Sequence, residues 1–527
     1  MTERQKSWAT LALLWALLLL LSALRPMAVP DEGRYGEIGR WMLQSGDWLV
    51  PRLNGIPFFH KPPLLHWVNA SLMALLGAHV WVARLGPALH AGAMLLALYL
   101  SVRAMPWDTG ARAEGLARRA ALMLGSSLAF LIGGQYINHD MLVACWIGIA
   151  IWAFAAAFVG ADDGGRAGRG PWVPRPGLAR LGFVACGLGV LSKGLIGLVL
   201  PGLVLLVWLL WTRQMRKVLY LPWLRGLLLF GLIAVPWFVL AERRAPGLLA
   251  YLFGDQQFNR YTANTFNNGR PWWFYLAGLF LLLFPWTFFA LQPLVARLRR
   301  RPGAAGLALS PGQRVWVALA WIWLVAIIGF FSVPHSKLIG YALPVMPALA
   351  FLAALGFEQG LGGWRHAERL FKGLLVLAVG VALAVNLAAT RYTERHGTAD
   401  VAAVLACQIG PGDTVLAVGD FPYDLPFLVR LPQPMVVVQD WARERQSARD
   451  NWRRELFEGA AFDARAGERL QDPEVLERAA QQPGQWVIAP NNVAIRDFES
   501  VSRGLAWTLY RSAPTQPVSP APAHCKR

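Results

Sequence analysis

Residues 11–24 read L-A-L-L-W-A-L-L-L-L-L-S-A-L, and this stretch decides the fold because it is almost pure Leu and Ala and carries no charge. Similar apolar runs recur at 121–132, 141–159, 195–211, 226–240, 274–290, 315–331, 338–355 and 373–389. Each run is close to the roughly 20 residues that a helix needs to cross a bilayer. Lipid offers backbone amides no hydrogen-bond partner, so spanning helices are expected. The sequence predicts an all-α polytopic membrane protein.

The composition supports this class. Of the 527 residues, 56% are hydrophobic and 15% are charged, whereas a soluble domain carries about 25% charged residues. The net charge of +19 would suggest nucleic acid in a soluble protein, but here the cations lie mostly in short loops between apolar runs. We therefore expect the lipid bilayer as a partner and no nucleic acid. The four cysteines show no paired spacing, so neither a disulfide framework nor a zinc finger is predicted.

Clusters of Lys and Arg in alternate loops set the predicted topology. By the positive-inside rule these five loops and the N-terminus face the cytoplasm. The clusters are Arg103, Arg112, Arg118 and Arg119; Arg166, Arg169, Arg175 and Arg180; Arg213, Arg216 and Lys217; Arg297, Arg299, Arg300 and Arg301; and Arg365, Arg369 and Lys372. The resulting eleven spans are 8–29, 80–102, 117–134, 141–160, 178–192, 194–212, 219–241, 272–292, 314–332, 338–357 and 370–389. A cleaved signal peptide at the N-terminus is the less favoured alternative, because the first run is long and many spans follow.

The composition changes after Thr390, where charged residues and Pro become frequent. Short β-type runs at Thr414–Val418, Met435–Gln439 and Gln485–Ala489 alternate with helix-prone stretches at 450–458 and 473–481. We therefore predict three regions: a membrane domain at 1–390 with a catalytic outer loop at 30–79, a small α/β domain at 391–512, and a disordered tail at 513–527. An odd number of spans places the α/β domain in the periplasm. The apolar segment 63–77 is short and is interpreted as re-entrant or interfacial.

The outer loop 30–79 carries the first candidate site residues. Asp31 and Glu32 follow the first span, Arg34 lies one helical turn beyond Asp31, and Lys61 precedes two prolines that fix its backbone. A carboxylate and two cations at a membrane surface suit a phosphate-bearing substrate. The other charges of this loop, Glu37, Arg40 and Asp47, are interpreted as ordinary solvated residues.

Further candidates lie at the outer ends of later spans. Asp140, in N-H-D-M-L, is either functional, as ionisable groups near the membrane often are, or a helix N-cap. Lys337 and Tyr341 are four apart and could offer a cation and a hydroxyl to a phosphate, although an interfacial Lys with an aromatic-belt Tyr explains them too. Lys193 is equally open between a lipid contact and snorkelling. The outer loop 242–271, with Arg243, Arg244, Arg260 and Arg270, is long enough to act as a lid.

These stretches together resemble the bacterial branch of the protein mannosyltransferase-like glycosyltransferases of GT-C type, most of all the aminoarabinose (4-amino-4-deoxy-L-arabinose) transferases that modify lipid A. The motifs are D-E-G-R-Y-G-E-I at 31–38, S-G-D-W-L-V-P-R-L-N-G at 45–55, K-P-P-L at 61–64, D-M-L at 140–142, S-K-G-L-I-G-L-V-L-P at 192–201 and S-K-L-I-G-Y-A-L-P at 336–344. They cover about two-thirds of the chain. The α/β region carries little of the resemblance.

The resemblance implies an inverting glycosyltransferase of the bacterial inner membrane, with a polyprenyl-phosphate-linked sugar as donor and an outer-face acceptor such as a lipid A phosphate. It implies Asp31 as the principal catalytic carboxylate, assisted by Asp140. It also implies that Arg34, Lys61 and Tyr341 hold the lipid phosphate. Glu32 is added to Asp31 and Asp140 as a candidate catalytic residue. Lys337 and Arg270 are added to Arg34, Lys61 and Tyr341 as candidate phosphate-binding residues. We expect a monomer.

Two departures from the family pattern bear on a metal. The acidic residue before K-P-P is His60 here, and the outer loop reads F-N-N-G-R-P-W-W-F-Y at 266–275, without the histidine often found there. A divalent metal is therefore in doubt, and no metal ligand is assigned. Two other functions remain open: a transferase of the same fold that acts on protein hydroxyls or another glycan, and a transporter or flippase without chemistry. Charges at the outer ends of spans favour an enzyme.

Overall fold

The computed structural model describes residues 2–159, 174–259, 269–292, 309–446 and 451–512. Within these ranges seven helices are long and apolar enough to cross a membrane. They are Glu3–Ala23, Leu85–Arg103, His139–Val159, Trp223–Arg244, Pro311–Ser332, Ile339–Leu361 and Ala367–His396. The chain is therefore a multi-pass membrane protein, as predicted. The basic loops at 166–169 and 297–301, Arg260 and the tail 513–527 lie outside the described residues.

The other four predicted spans form shorter or interrupted helices. The segment 117–134 is divided into Gly110–Gly125 and Leu128–Gly133, and the Ser127 hydroxyl accepts a hydrogen bond from Phe130 N (3.2 Å) to cap the second piece. The remaining helices in these segments are Pro176–Lys193, Ile196–Trp211, Phe274–Leu282 and Thr287–Ala290. These four segments are helical, but the count of eleven spans stays a prediction.

The outer loop folds into helices around a tight hairpin. Helix Asp31–Ser45 ends at Gly46, whose φ of 71° suits glycine, and helices Leu64–Leu76 and Val80–Ala83 follow. Between them β1 (Arg52–Leu53) pairs with β2 (Ile56–Pro57). The turn is Asn54-Gly55 with φ of 53° and 76°, the positive values that a two-residue hairpin requires.

Two described parts of the segment 242–271, which was predicted as a lid, are helical. Arg243 and Arg244 lie in the last turn of Trp223–Arg244, and residues Ala250–Asn259 form a π-helix. A short 3₁₀-helix, Met215–Tyr220, precedes Trp223–Arg244, and another, Ile339–Val345, opens the penultimate long helix before Met346–Leu361.

The C-terminal region contains a mixed six-stranded sheet. Its strands are β3 (Thr414–Val418), β4 (Val436–Val438), β5 (Leu470–Gln471), β6 (Gln485–Pro490), β7 (Glu499–Arg503) and β8 (Trp507–Arg511), in the order β5-β4-β3-β6-β8-β7. The first four strands in that order are parallel, and β8 and β7 continue the sheet antiparallel. Its helices are Ala399–Gln408, Leu425–Val429, Trp441–Gln446, Trp452–Ala460, Ala464–Gly467 and Val475–Ala480. Three strands lie where the sequence predicted them, and β5, β7 and β8 were missed.

This region shares its hydrophobic core with the outer loop. Tyr35 and Ile38 of helix Asp31–Ser45 lie in one buried cluster with Val437 and Trp486 of the sheet. A Cβ on Gly33 would lie 2.6 Å from the backbone of Tyr423, so only glycine allows this approach. The predicted boundary at residue 390 falls inside the helix Ala367–His396. The sheet is therefore packed on the face of the membrane domain that carries the candidate site.

The interpretation of Glu37 and Arg40 as solvated charges is wrong. Glu37 and Arg40 are buried, not solvated: they form an ion pair (Oε2 to Nε, 2.6 Å), and Arg40 Nη2 donates to the Leu431 carbonyl (3.1 Å). The reason is that the sheet region covers this face of the helix.

The cysteines differ in their bonding. Cys145 and Cys186 are free and buried, but Cys407 is disulfide-bonded. The spacing of the cysteines in the sequence did not indicate this disulfide bond, because disulfide pairing depends on proximity in space.

Candidate active site

A cavity of about 820 Å³ lies between the outer loop, the ends of the membrane helices and the sheet region. The membrane domain contributes the predicted residues Asp31, Arg34, Lys61, Asp140 and Tyr341 to its lining. The C-terminal half contributes a wall of aromatic and acidic residues, which are Tyr392, His396, Asp420, Phe421, Tyr423, Asp424, Trp452, Glu455 and Trp507. The structure therefore brings together five predicted site residues. The first and last of them, Asp31 and Tyr341, are more than 300 positions apart in sequence.

Asp31 is the carboxylate best placed for chemistry in this cavity. Its Oδ2 accepts only long hydrogen bonds, from Tyr136 Oη (3.4 Å) and Asn138 Nδ2 (3.5 Å), and Arg34 Nη1 lies 3.8 Å from its Oδ1. Its side chain is 29% exposed. Burial raises the pKa of this carboxyl, against the lowering effect of Arg34, and the charge of Asp140 adds to the rise. Asp31 can therefore turn toward a substrate without breaking a strong bond.

Glu32 does not reach the cavity. It is fully buried, and its carboxylate binds both Arg25 (2.7 Å) and Arg84 (2.8 Å). Burial alone would raise the pKa of the Glu32 carboxyl, but the guanidiniums of Arg84 and Arg25 outweigh it and lower the pKa to about 2. Successive helical residues point about 100° apart, so Asp31 faces the cavity while Glu32 faces the protein interior. These contacts suit a structural role for Glu32.

Arg34 is held by residues from both halves of the chain. Its Nη1 lies 3.1 Å from Glu455 Oε1. The centre of its guanidinium lies 4.9 Å from the centre of the Tyr423 ring, and its Nη2 donates to the Tyr423 hydroxyl at 3.4 Å. The side chain is 12% exposed. This arrangement fixes the plane of the guanidinium at the cavity wall, where it can present two parallel N–H groups to a phosphate.

Lys193 is a cavity residue that the sequence left undecided. It ends helix Pro176–Lys193, where Gly194 takes a φ of 94°. Its ammonium forms an ion pair with Asp140 and lies 4.3 Å from the centre of the Tyr341 ring. Asp140 is therefore neutralised by a neighbouring cation, in contrast to Asp31. The interrupting Ser-Lys-Gly within a long apolar run was the signal that could have singled out Lys193.

Lys337 and Arg270, two predicted phosphate ligands, are not among the lining residues of this cavity. Lys337 is buried, and its Nζ donates to the carbonyls of Pro334 (2.5 Å) and Arg270 (3.2 Å). The Arg270 side chain is exposed, with its guanidinium 6.0 Å from the Phe274 ring. The ammonium of Lys337 therefore fastens the backbone at 270 to the turn before the next helix.

The described residues near His60 do not fit a metal-ligand set. Within the described ranges no group of three or more His, Cys, Asp or Glu side chains is close enough to hold a metal ion. His60 lines the cavity, stacks on Phe58 at 4.6 Å, and bonds to the Tyr251 hydroxyl through Nε2 (2.9 Å).

An apolar groove of about 350 Å³ adjoins the cavity. Its walls come mainly from the start of helix Ile196–Trp211, the π-helix and the end of helix Pro311–Ser332, through residues such as Val199, Phe253 and Phe330. Three polar side chains, those of Lys61, Lys193 and Tyr341, line both the groove and the cavity. Two cations and a hydroxyl thus stand where an apolar channel meets a polar chamber containing a carboxylate. This defines a membrane protein with a site suited to a lipid-linked anion.

Comparison with known proteins gives the same class. The profile of the dolichyl-phosphate-mannose-protein mannosyltransferase family matches residues 6–252. An undecaprenyl phosphate-alpha-4-amino-4-deoxy-L-arabinose arabinosyl transferase of Pseudomonas fluorescens is 30% identical over 72% of this chain and 62% of its own length. A relative of the same name from Sodalis glossinidius is 28% identical over 92% of this chain and 79% of its own length. The chain belongs to the protein mannosyltransferase-like family of glycosyltransferases, as its motifs predicted.

The fold has a solved counterpart. The crystal structure of ArnT from Cupriavidus metallidurans bound to undecaprenyl phosphate has a TM-score of 0.75 and 23% sequence identity, covering 96% of this chain and 98% of that one. This likeness establishes a GT-C fold of the ArnT type. Against the first relative from Pseudomonas fluorescens, the matched region spans less than two-thirds of that relative's length.

Proposed function

We propose that this protein is an inverting glycosyltransferase that moves 4-amino-4-deoxyarabinose from a polyprenyl-phosphate donor to a phosphate of lipid A. The observation that carries the proposal is the junction of the apolar groove with the polar cavity. A lipid phosphate whose chain occupies the groove would have its charged end beside Lys61, Lys193 and Tyr341. The relatives named for an undecaprenyl-phosphate sugar, and ArnT bound to undecaprenyl phosphate, support the donor.

In the proposed reaction an acceptor oxygen attacks the anomeric carbon while the bond from that carbon to the donor phosphate breaks. The electron pair of that bond goes to the phosphate oxygen, and the configuration inverts. Arg34, Lys61 and Tyr341 stabilise the charge that develops on the leaving phosphate. A lipid A phosphate is already an anion and needs no strong base, so Asp31 orients it or stabilises positive charge at the sugar carbon. Asp140, held by Lys193, lines the same cavity and assists Asp31.

A transferase that acts on protein hydroxyls is the second candidate, because the matching family profile is named for a protein mannosyltransferase. In that case Asp31 would act as general base toward the hydroxyl. The test is transfer by the purified full-length protein from synthetic undecaprenyl-phosphate aminoarabinose, with lipid A and a serine-rich peptide as alternative acceptors. We expect aminoarabinose on lipid A by mass spectrometry, and loss of this modification in a deletion strain. Transfer to the peptide alone would contradict the proposed acceptor.

The proposed location is the bacterial inner membrane, with the catalytic cavity and residues 391–512 in the periplasm. Five basic loops, which are predicted to face the cytoplasm, support this orientation. An alkaline phosphatase reporter fused after Ala389 is therefore expected to be active, whereas the same reporter fused after Lys217, in a basic loop, should be inactive. A reporter that works only in the cytoplasm and is active after Ala389 would contradict the topology.

A further inference from the structure

The hydroxyl of Tyr251 joins three separate segments of the chain. It lies 2.9 Å from His60 Nε2 in the outer loop, 2.8 Å from Glu458 Oε2 in helix Trp452–Ala460, and 3.0 Å from Gln256 Nε2 in its own π-helix. The Phe462 ring packs edge-on against both Tyr251 (5.7 Å) and Phe59 (5.2 Å). Membrane domain, π-helix and sheet region therefore meet at one oxygen atom.

Counting protons fixes the direction of these hydrogen bonds. A phenolic hydroxyl donates once and accepts twice, and a carboxylate only accepts. Tyr251 therefore donates to Glu458, whose charge is balanced by Arg454 at 2.5 Å. The Tyr251 oxygen then accepts from Gln256 and from His60, so His60 must carry its proton on Nε2. Burial raises the pKa of Tyr251 well above its usual value, and the Glu458 charge adds to this rise, so the hydroxyl keeps its proton.

The hydrogen bonds of the Tyr251 hydroxyl affect the position of Lys61. The His60 ring is held between its stack on Phe58 and the bond to Tyr251. Lys61 follows directly, and Pro62 and Pro63 restrict the backbone after it. Anchoring His60 therefore limits the directions in which the Lys61 side chain can extend from the backbone. The helix that carries Glu458 also carries Glu455, which binds Arg34, so one helix supports both proposed phosphate cations.

We propose that Tyr251, His60 and Glu458 form a hydrogen-bonded clasp that positions Lys61 against the phosphate of the donor. The clasp occupies the place where the family pattern has an acidic residue before K-P-P, and its bonds need no metal. It rests on the proposed function for the identity of the ligand, a polyprenyl phosphate. Tyr251 and Glu458 are positioning residues, because they act through His60 and Lys61 and do not line the cavity themselves.

The test measures the affinity of the purified full-length protein for undecaprenyl phosphate in detergent, which requires no turnover. Tyr251→Phe removes one hydroxyl and is expected to weaken binding roughly fivefold, the value of about one hydrogen bond. Tyr510→Phe, which removes a hydroxyl from a residue of β8 that belongs neither to the clasp nor to the cavity lining, should bind as wild type does. His60→Gln, which keeps a donor near the Nε2 position, should retain more affinity than His60→Phe.

A double-mutant cycle separates positioning from a general loss of packing. If Tyr251 acts through Lys61, then Tyr251→Phe should change affinity by less than about twofold when Lys61 is already alanine. Additive losses would overturn the clasp, as would wild-type affinity in Tyr251→Phe. Affinity that falls with a chelator and returns with zinc would replace the clasp by a metal site. A wild-type protein that binds no undecaprenyl phosphate would contradict the proposed function and the clasp together.

Discussion

Asp31→Asn is expected to reduce sugar transfer by on the order of 10²- to 10⁴-fold while leaving expression and folding intact. Asparagine keeps the shape of the side chain and removes its charge. The loss should be large because Asp31 lines the cavity with only long contacts to its neighbours, so its carboxylate is available to substrate. The folded state should tolerate the change, since no close ion pair is broken.

The measurement is the rate of transfer at saturating donor, with thermal stability recorded in parallel. Asp497→Asn, an exposed carboxylate of the sheet region at positive φ, is the matched control and should transfer at the wild-type rate. Asp140→Asn should lose less activity than Asp31→Asn, because Asp140 is neutralised by Lys193. Near-normal turnover by Asp31→Asn would show that Asp31 is only an interfacial charge.

The pH dependence of the transfer rate should also reflect the requirement for an ionised Asp31. The pKa of Asp31 is raised by burial, and the ionised form of its carboxyl predominates only above that pKa. Activity should therefore decline on the acid side at a pH above the ordinary aspartate value of about 3.9. Asp31→Asn should remove this acid limb from whatever activity remains.

The membrane fold was accessible to sequence reasoning because hydropathy is a local property. Each long apolar run can be recognised from its own residues, without reference to the rest of the chain. The interruptions were not accessible: whether Ser126 and Ser127 break a helix depends on what surrounds the two pieces. The sheet was predicted only for its apolar strands β3, β4 and β6, while the edge strands β5 and β7 have polar sequences without the alternation that marks a strand.

The site was predictable where the residues lie at the mouths of spans and unpredictable where it depends on tertiary contacts. Asp31 and Glu32 are adjacent carboxylates, and only the direction of each side chain on the helix separates one in a cavity from one in a buried ion-pair cluster. Tyr423 and Glu455 reach Arg34 from about 390 and about 420 positions away, respectively. No motif marks them, because the contact exists only after the sheet region has packed on the outer loop.

Arg34→Lys is expected to weaken donor binding and transfer by roughly tenfold to a hundredfold, although it keeps the charge. Arginine can bind phosphate through two parallel hydrogen bonds, whereas lysine offers a point charge. The guanidinium also loses its stack on Tyr423 and its contact with Glu455. Lys61→Ala should be similarly damaging, and Tyr341→Phe should cost only about 1 kcal/mol, since it removes one neutral donor.

The control for Arg34→Lys is Arg511→Lys. Arg511 stacks on the Trp486 ring at 4.8 Å, much as Arg34 stacks on Tyr423, but it lies in β8 and does not line the cavity. If loss of stacking alone were responsible, the two variants would be impaired equally, whereas we expect Arg511→Lys to keep the wild-type affinity for undecaprenyl phosphate. Glu455→Gln should weaken that affinity less than Arg34→Lys, because it loosens the guanidinium without removing it. A silent Arg34→Lys variant, or a Tyr341→Phe variant worse than Lys61→Ala, would contradict the phosphate-binding arrangement.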